Sequence, residues 1–306
     1  MTKPYITVVG SSNTDMVVKA DRLPGPGETI LGGTFYMNPG GKGANQAVAA
    51  ARLGGNICFI CKTGNDIFGK QSLQLFKEEG INTSYIISDT NLPSGVALIT
   101  VDKDGENCIV VASGANAALL PLDLLPAGEL ISRSAMILMQ LEIPIETVSH
   151  VAAFAFEKNI PVILNPAPAR MLPDNLFNYI SILTPNKKEA EMLTGIRIVN
   201  IQSAEEAAQK IVEKGVKTAI ITLGSEGALV LHNNVFTQIP ACLVNTVDTT
   251  AAGDTFNGAL AVALSDGMNI TEATAFGCKA SAISVTRMGA QASIPFKWEV
   301  DAFMIG

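Results

Sequence analysis

The spacing of apolar residues changes along this chain, and the changes mark out its parts. Short, largely apolar runs stand at Ile6–Val9, Ile57–Ile60, Ala135–Met139, Pro161–Leu164, Ile180–Leu183 and Ala219–Thr222. Such runs suit strands buried on both faces. Helical spacing fills the intervals: Ala44–Leu53, Phe68–Glu79 with Gly80 as a stop signal, Glu146–Glu157 and Ala204–Lys214. Ala252–Leu264 and Thr271–Thr286 read as two consecutive helices. This alternation predicts an α/β three-layer sandwich, with a mostly parallel central sheet flanked by helices and sites at the strand C-termini. Met16–Lys19, Thr29–Met37, Gly95–Val101 and Asn107–Val111 read as further strands, joined in pairs across Pro-Gly-Pro-Gly and Asp-Lys-Asp-Gly turns. They predict a small β-sheet lid, built from about residues 14–38 and 95–112, on a single domain spanning residues 1–306.

Composition narrows the function classes. Of 306 residues, 48% are hydrophobic and 16% charged, which supports a large core. The net charge of −7 weighs against nucleic acid or an anionic membrane as the main partner. No apolar run approaches the roughly 20 residues of a membrane helix. Tyr5 leads directly into the first strand, so no signal peptide is expected and the cytoplasm is the expected compartment. The five cysteines make no disulfide framework, and Cys58 and Cys61 fall on opposite faces of a strand-like run. His150 and His232 keep no company suited to nucleophilic catalysis or to zinc.

The most informative segment is Asp248–Leu260. Small residues lead into Gly253 and Asp254, just where a helix begins, so unpaired backbone N–H groups and the positive helix end would face outward. An acid beside such an anion site suits deprotonation of a hydroxyl coupled to neutralisation of a phosphoryl group. As an isolated Gly-Asp it would more often be a helix cap.

Other polar segments follow strands. Asn13 and Asp15 stand two apart after the first strand, as in a turn or a polyol site. Pro39-Gly40-Gly41-Lys42-Gly43-Ala44-Asn45 opens a helix through three glycines, with neither the Walker nor the dinucleotide spacing. Asn186 and Glu189 fit a capping box. Thr222-Leu223-Gly224-Ser225-Glu226-Gly227 is a glycine-bearing turn able to cradle phosphate, or an ordinary turn.

Taken together, these segments resemble the ribokinase-like family of carbohydrate kinases over nearly the whole chain. Gly40–Gly55 looks like the N-terminal signature, Asp248–Leu260 like the C-terminal one, and Asn186–Glu189 like the Asn-x-x-Glu motif. The two signatures lie in order and about 200 residues apart. The Asn165–Arg170 stretch fits as well.

The resemblance implies transfer of the ATP γ-phosphoryl group to the 5-hydroxyl of ribose, with Mg²⁺. Asp254 would be the general base, and Ala251, Ala252, Gly253 and Asp254 would form the anion hole. Asn13, Thr14, Asp15, Gly41, Lys42, Gly43, Ala44, Asn45, Glu142 and Asp254 would hold the sugar. Asn186, the Thr222–Gly227 turn, Gly253 and Cys278 would hold the nucleotide, with Glu189 near the magnesium. Asp248, Thr250, Ser284, Arg287, Gly289 and Ser293 would surround an activating K⁺, mostly through carbonyl oxygens. A homodimer through the β lid is expected. The chain departs from the pattern at Ala251-Ala252, where many relatives have Gly-Ala, and at Cys278, often His or Asn near the adenine. Alternatives are a kinase for deoxyribose, fructose or adenosine, or a non-catalytic sugar-binding protein on the same fold. Asn13, Asp15 and Glu142 favour a free pentose over a nucleoside, and the only aromatics near these motifs are Phe35 and Tyr36.

Overall fold

The computed structural model describes residues 3–303. In chain order the elements are β1 (Ile6–Val9), β2 (Asn13–Lys19), β3 (Thr34–Gly40), α1 (Lys42–Arg52), β4 (Ile57–Ile60), β5 (Lys62–Gly64), α2 (Ile67–Glu78), β6 (Ile87–Asp89), β7 (Gly95–Val101) and β8 (Asn107–Ala112). There follow α3 (Gly128–Ser132), β9 (Met136–Met139), α4 (Ile145–Glu157), β10 (Val162–Leu164), β11 (Ile182–Leu183), α5 (Lys187–Thr194) and α6 (Ile201–Glu213). The last are β12 (Thr218–Thr222), β13 (Ala228–His232), β14 (Val235–Ile239), α7 (Ala252–Ser265), α8 (Ile270–Ser284) and α9 (Lys297–Ala302).

The central sheet has eight strands in the order β14-β13-β12-β11-β10-β9-β1-β4. From β12 to β4 every neighbour is parallel, and β13 and β14 close one edge as an antiparallel hairpin. Asn233 and Asn234 form that hairpin's turn at φ 49° and 61°, the positive values a two-residue turn needs. The chain runs outward from β1 to β4 and then, from β9 to β12, in the other direction. The switch between β1 and β9 opens a crevice at their C-terminal ends.

Two cores cover the sheet. On one face α1, α7 and α8 bury Val48, Phe256 and Leu260 against Val8 and Leu138. On the other, α4, α5 and α6 bury Val148, Leu193 and Ile211 against Val9, Met139 and Ile221. This is the expected three-layer arrangement. No helix among the described residues is long and apolar enough to cross a membrane. Burial pushes the Cys58 thiol up to about 12 and that of Cys61 further, so both stay protonated within the core.

A separate four-stranded sheet has the order β3-β2-β7-β8. Strand β3 starts five residues later than the sequence suggests, at Thr34, because Gly32 and Gly33 adopt φ of 101° and 98° and break the extended run. The sheet's first strand starts earlier, at Asn13, so Asn13 and Asp15 lie on a strand rather than in a turn. Strand register aligns Met37, Met16, Leu98 and Val110 across all four strands. Asn38, Asp15, Ala97 and Val111 form the neighbouring row on the opposite face.

Candidate functional site

The first-strand loop and the start of α1 meet because neither carries a side chain at the contact. A Cβ on Gly43 would lie 2.4 Å from Ser11 N. This approach lets the Ser11 hydroxyl and the Lys42 backbone N–H both donate to one Glu142 oxygen, at 2.6 and 2.9 Å. Glu142, just after β9, thereby ties both walls of the crevice together. Asn13 and Asp15 project from the same face of β2, whereas the side chain of Thr14 takes the other face. The Asp15 carboxylate packs where a Cβ on Gly40 would stand.

Asp254 decides between the cap and the base readings. The N-cap of α7 is Ala251, at φ 60°, and no side chain caps that helix end. Asp254 sits in the first turn and is 6% exposed. Its oxygens accept hydrogen bonds from Asn45 Nδ2 and Gln46 Nε2, each at 2.9 Å. The carboxylate therefore reaches across to α1 and does not cap its own helix. By helix geometry the N–H groups of Gly253 and Asp254 have no intrahelical acceptor and remain available to an anion.

A chain of neutral side chains supports this acid. Gln46 accepts from Gln140 Nε2 at 2.6 Å and donates to Asn165 Oδ1 at 3.1 Å. Asn165 donates to the Thr184 carbonyl, the Thr184 hydroxyl donates to Asn257 Oδ1, and Asn257 donates to the Gly253 carbonyl. None of these roles was read from the sequence. The available signals were positional: Gln46 adjoins Asn45 in the N-terminal signature, Asn257 lies in the C-terminal one and Asn165 opens the 165–170 stretch. Asn186 and Glu189 form the expected reciprocal box, with Glu189 accepting from Asn186 N at 2.8 Å and from Nδ2 at 2.9 Å.

Two cavities adjoin. A polar one of about 180 Å³ is lined by Lys42, Asn165, Asn186, Glu189, Gly253, Asp254 and Asn257 among others. A more apolar one of about 300 Å³ is lined by Gly224, Ser225, Gly227, Cys242, Cys278 and Val285 among others. They share Thr222, Thr249, Ala252 and Gly253, so the start of α7 stands at their junction. From the 222–227 turn, Leu223 is buried in the core and Glu226 pairs with Lys187 at 2.5 Å, so neither side chain enters the larger cavity. Burial, reinforced by Cys242, pushes the Cys278 thiol up to about 12, making it a neutral wall.

Charges concentrate on the polar side. Burial raises the Asp254 carboxyl, with Lys42, Asn45 and Gln46 opposing. Burial also raises Asp15, helped by Glu142 and opposed by Lys42, to about 6. Glu189 is raised by burial against its bond from Asn186 and the charge of Lys42. Burial alone would lower Lys42, but Asp254, Glu142, Glu189 and Asp15 together hold it above its ordinary value, so it stays charged.

Near the start of α7, Asp248 accepts from Thr250 N at 2.9 Å, Thr250 Oγ1 at 2.6 Å and Gly289 N at 2.9 Å. These bonds outweigh its burial and lower its carboxyl. They draw the 248–250 loop onto the 287–293 segment. The Arg287 guanidinium turns away to Glu299, and the Ser284 and Ser293 hydroxyls donate to nearby carbonyls.

A family model described as pfkB family carbohydrate kinase matches residues 3–297. Ribokinase of Haemophilus influenzae is 44% identical over 299 residues, 98% of each chain. Deoxyribokinase of Salmonella typhi is 37% identical over 291 residues, 95% of each. Among solved structures, Arabidopsis thaliana ribokinase complexed with ribose and ATP matches with a TM-score of 0.93 and 32% identity, over 99% of this chain and all of that one.

Proposed function

The chain belongs to the pfkB family of carbohydrate kinases, and on that footing we propose that it phosphorylates D-ribose at the 5-hydroxyl with ATP. The observation that carries this reading is Asp254: a buried acid beside free helix N–H groups, lining the polar cavity next to the point where it joins the apolar one. Nearly full-length likeness to a ribokinase complexed with ribose and ATP supports it.

The sugar occupies the crevice between β1 and β9. Asn13, Asp15, Lys42, Asn45 and Glu142 bond its hydroxyls, and the backbone of Gly41, Gly43 and Ala44 lines its path. The nucleotide lies along the 222–227 turn, its base against Cys278 and its phosphates crossing toward Gly253. Asp254 accepts the proton of the 5-hydroxyl as that oxygen bonds to the γ-phosphorus and the bond to the β-phosphate oxygen breaks, releasing ADP. The free N–H groups of Gly253 and Asp254 and the charge of Lys42 stabilise the transferring group, while the Ala252 N–H is already bonded to the Thr249 carbonyl; the reaction needs positioning and neutralisation more than covalent chemistry.

Magnesium, when bound to the phosphates, neutralises their charge. The donor chemistry fits: Asn186 and Glu189 offer oxygen atoms on the polar cavity wall. The Glu189 oxygens already accept from Asn186, and the two residues would act near the ion through water. A monovalent cation, K⁺, belongs among the carbonyls of Asp248, Thr250, Ser284, Arg287, Gly289 and Ser293, where it would order the anion-hole loop. Its support is the bonding of Asp248 to Thr250 and Gly289, which gathers those segments. The four-stranded sheet, as a lid, excludes water from the sugar, and a second copy covers its outer face.

The test is ATP consumption with D-ribose, 2-deoxyribose, fructose and adenosine. Ribose is expected to give the highest kcat/KM. Preference for 2-deoxyribose would favour the reading suggested by the Salmonella typhi relative, and no turnover with any sugar would remove the kinase. Equal rates in K⁺, Na⁺ and bulky organic-cation buffers would remove the cation.

A further inference from the structure

Asn116 belongs to none of the segments ascribed to the site. It lies on the single turn, Gly114–Ala118, through which the chain leaves β8 for the body. It is 1% exposed, yet every polar atom of its amide is used. Its Oδ1 accepts from Ser12 N at 2.9 Å, and its Nδ2 donates to the Ser12 carbonyl at 3.0 Å and to Asn13 Oδ1 at 2.8 Å.

The direction of these bonds is forced. A backbone N–H only donates and a backbone carbonyl only accepts, so Ser12 fixes which end of the Asn116 amide is oxygen. That leaves Nδ2 facing Asn13, and an N–H must meet an oxygen there. The Asn13 amide is held in one orientation, with its own Nδ2 lacking any partner among the described residues. Gly95, the partner of Asn13 in the β2–β7 register, guards the bond: a Cβ there would stand 2.2 Å from Asn13 Oδ1 and 2.3 Å from Asn116 Nδ2.

We propose that Asn116 is a positioning residue that makes Asn13 present an N–H donor, and not a carbonyl acceptor, to the sugar. Asp15 and Glu142 are acceptors, so the crevice holds donors and acceptors in fixed places and reads the hydroxyls of a polyol by direction. Because Asn116 is on the lid's exit turn, the same bond ties the lid's root to that selection. The inference rests on Asn13 being part of the sugar site.

Steady-state kinetics with D-ribose and ATP on Asn13→Ala, Asn116→Ala and the double variant test it. Asn116→Ala should raise the KM for ribose roughly tenfold, since an unpaired buried amide loses its orientation, while the KM for ATP stays within twofold. In the Asn13→Ala background the Asn116 change should then have little further effect, because the two act through one bond. Additive effects, or an unchanged ribose KM in Asn116→Ala, would overturn the inference. An unchanged ribose KM in Asn13→Ala would instead overturn the reading of the sugar site. Should Asn116→Ala not fold, Asn116→Asp, which loses the donor at similar size, and Gly95→Ala, which wedges the bond apart, replace it. Both are expected to raise the ribose KM and leave that for ATP, and failure of both to do so is equally fatal.

Discussion

The two large sheets differ in what covers them. Every residue of β1, β4 and β9 is buried, with helices on both faces. In the four-stranded sheet, all six residues of β8 are exposed, and Met37, Leu98 and Val110 of one cross-strand row are 49%, 54% and 62% exposed. A sheet covered on both faces holds its strand ends rigidly, which suits an acid and an anion site that must be aligned before reaction. A sheet whose apolar row faces solvent, built on an edge strand, lacks the packing to be rigid alone. Under the proposed function the first would support chemistry and the second affinity and assembly.

The largest expected effect breaks the first half of that contrast. Asp254→Asn keeps shape but cannot take the proton, so turnover should fall by about 10²–10⁴-fold, the usual contribution of a positioned base. Asp254 caps no backbone N–H, but an Asn amide offers one oxygen where the N–H donors of Asn45 and Gln46 both converge, so the melting temperature should fall modestly without loss of the fold. Near-normal turnover would take Asp254 out of the mechanism.

Next in size is the double variant Leu98→Lys with Val110→Lys, aimed at the second half. These side chains lie in register on the face opposite Asp15. Light scattering should show a dimer become a monomer, with a raised ribose KM and a largely preserved kcat at saturating sugar. A wild-type protein already monomeric at micromolar concentration would refute a dimer through this face.

The smallest effect concerns pH. Asp15 accepts sugar hydroxyl protons best as a carboxylate, and its carboxyl is raised to about 6, chiefly by burial and by Glu142. The ribose KM should therefore rise as pH falls through about 6, with at most about tenfold per pH unit, and Asp15→Asn should flatten that dependence. For stability the sign is opposite. A raised acid favours folding when protonated, so its contribution is complete below the ordinary Asp value near 3.8 and is lost as pH rises through about 6. A ribose KM flat between pH 5 and pH 7.5 would remove Asp15 from the sugar site.

What could be read from the sequence follows the same divide. Strands buried on both faces leave largely apolar runs, so β1, β4, β9 and β12 were legible from pattern alone. The lid strands were visible but misplaced at Thr29–Met37, since backbone dihedrals at Gly32 and Gly33, not hydrophobicity, end that element. β5 and β6 have three residues each, too few to show a period. In the site, glycine-rich segments announced the loops that carry Lys42, Asn45 and Asp254. Of the supporting amides, Gln46, Asn165 and Asn257 fell within segments the sequence singled out but their roles could not be read, and Gln140 and Asn116 were silent, because the partners are distant: Asn116 and Ser12 are 104 positions apart. Only the fold shows whether Asp254 caps its helix or faces α1, for both place Gly-Asp at a helix start.

Ala251 gives the anion loop a mechanical character. Left-handed backbone costs a residue with a side chain about 1–2 kcal/mol, whereas glycine adopts it freely. The alanine methyl also removes conformations that glycine would explore when the loop is slack. The turn at φ 60° therefore behaves like a sprung catch: costly to set while the chain folds, but set once, so that under the proposed function each incoming phosphoryl group would meet the same geometry as the one before it.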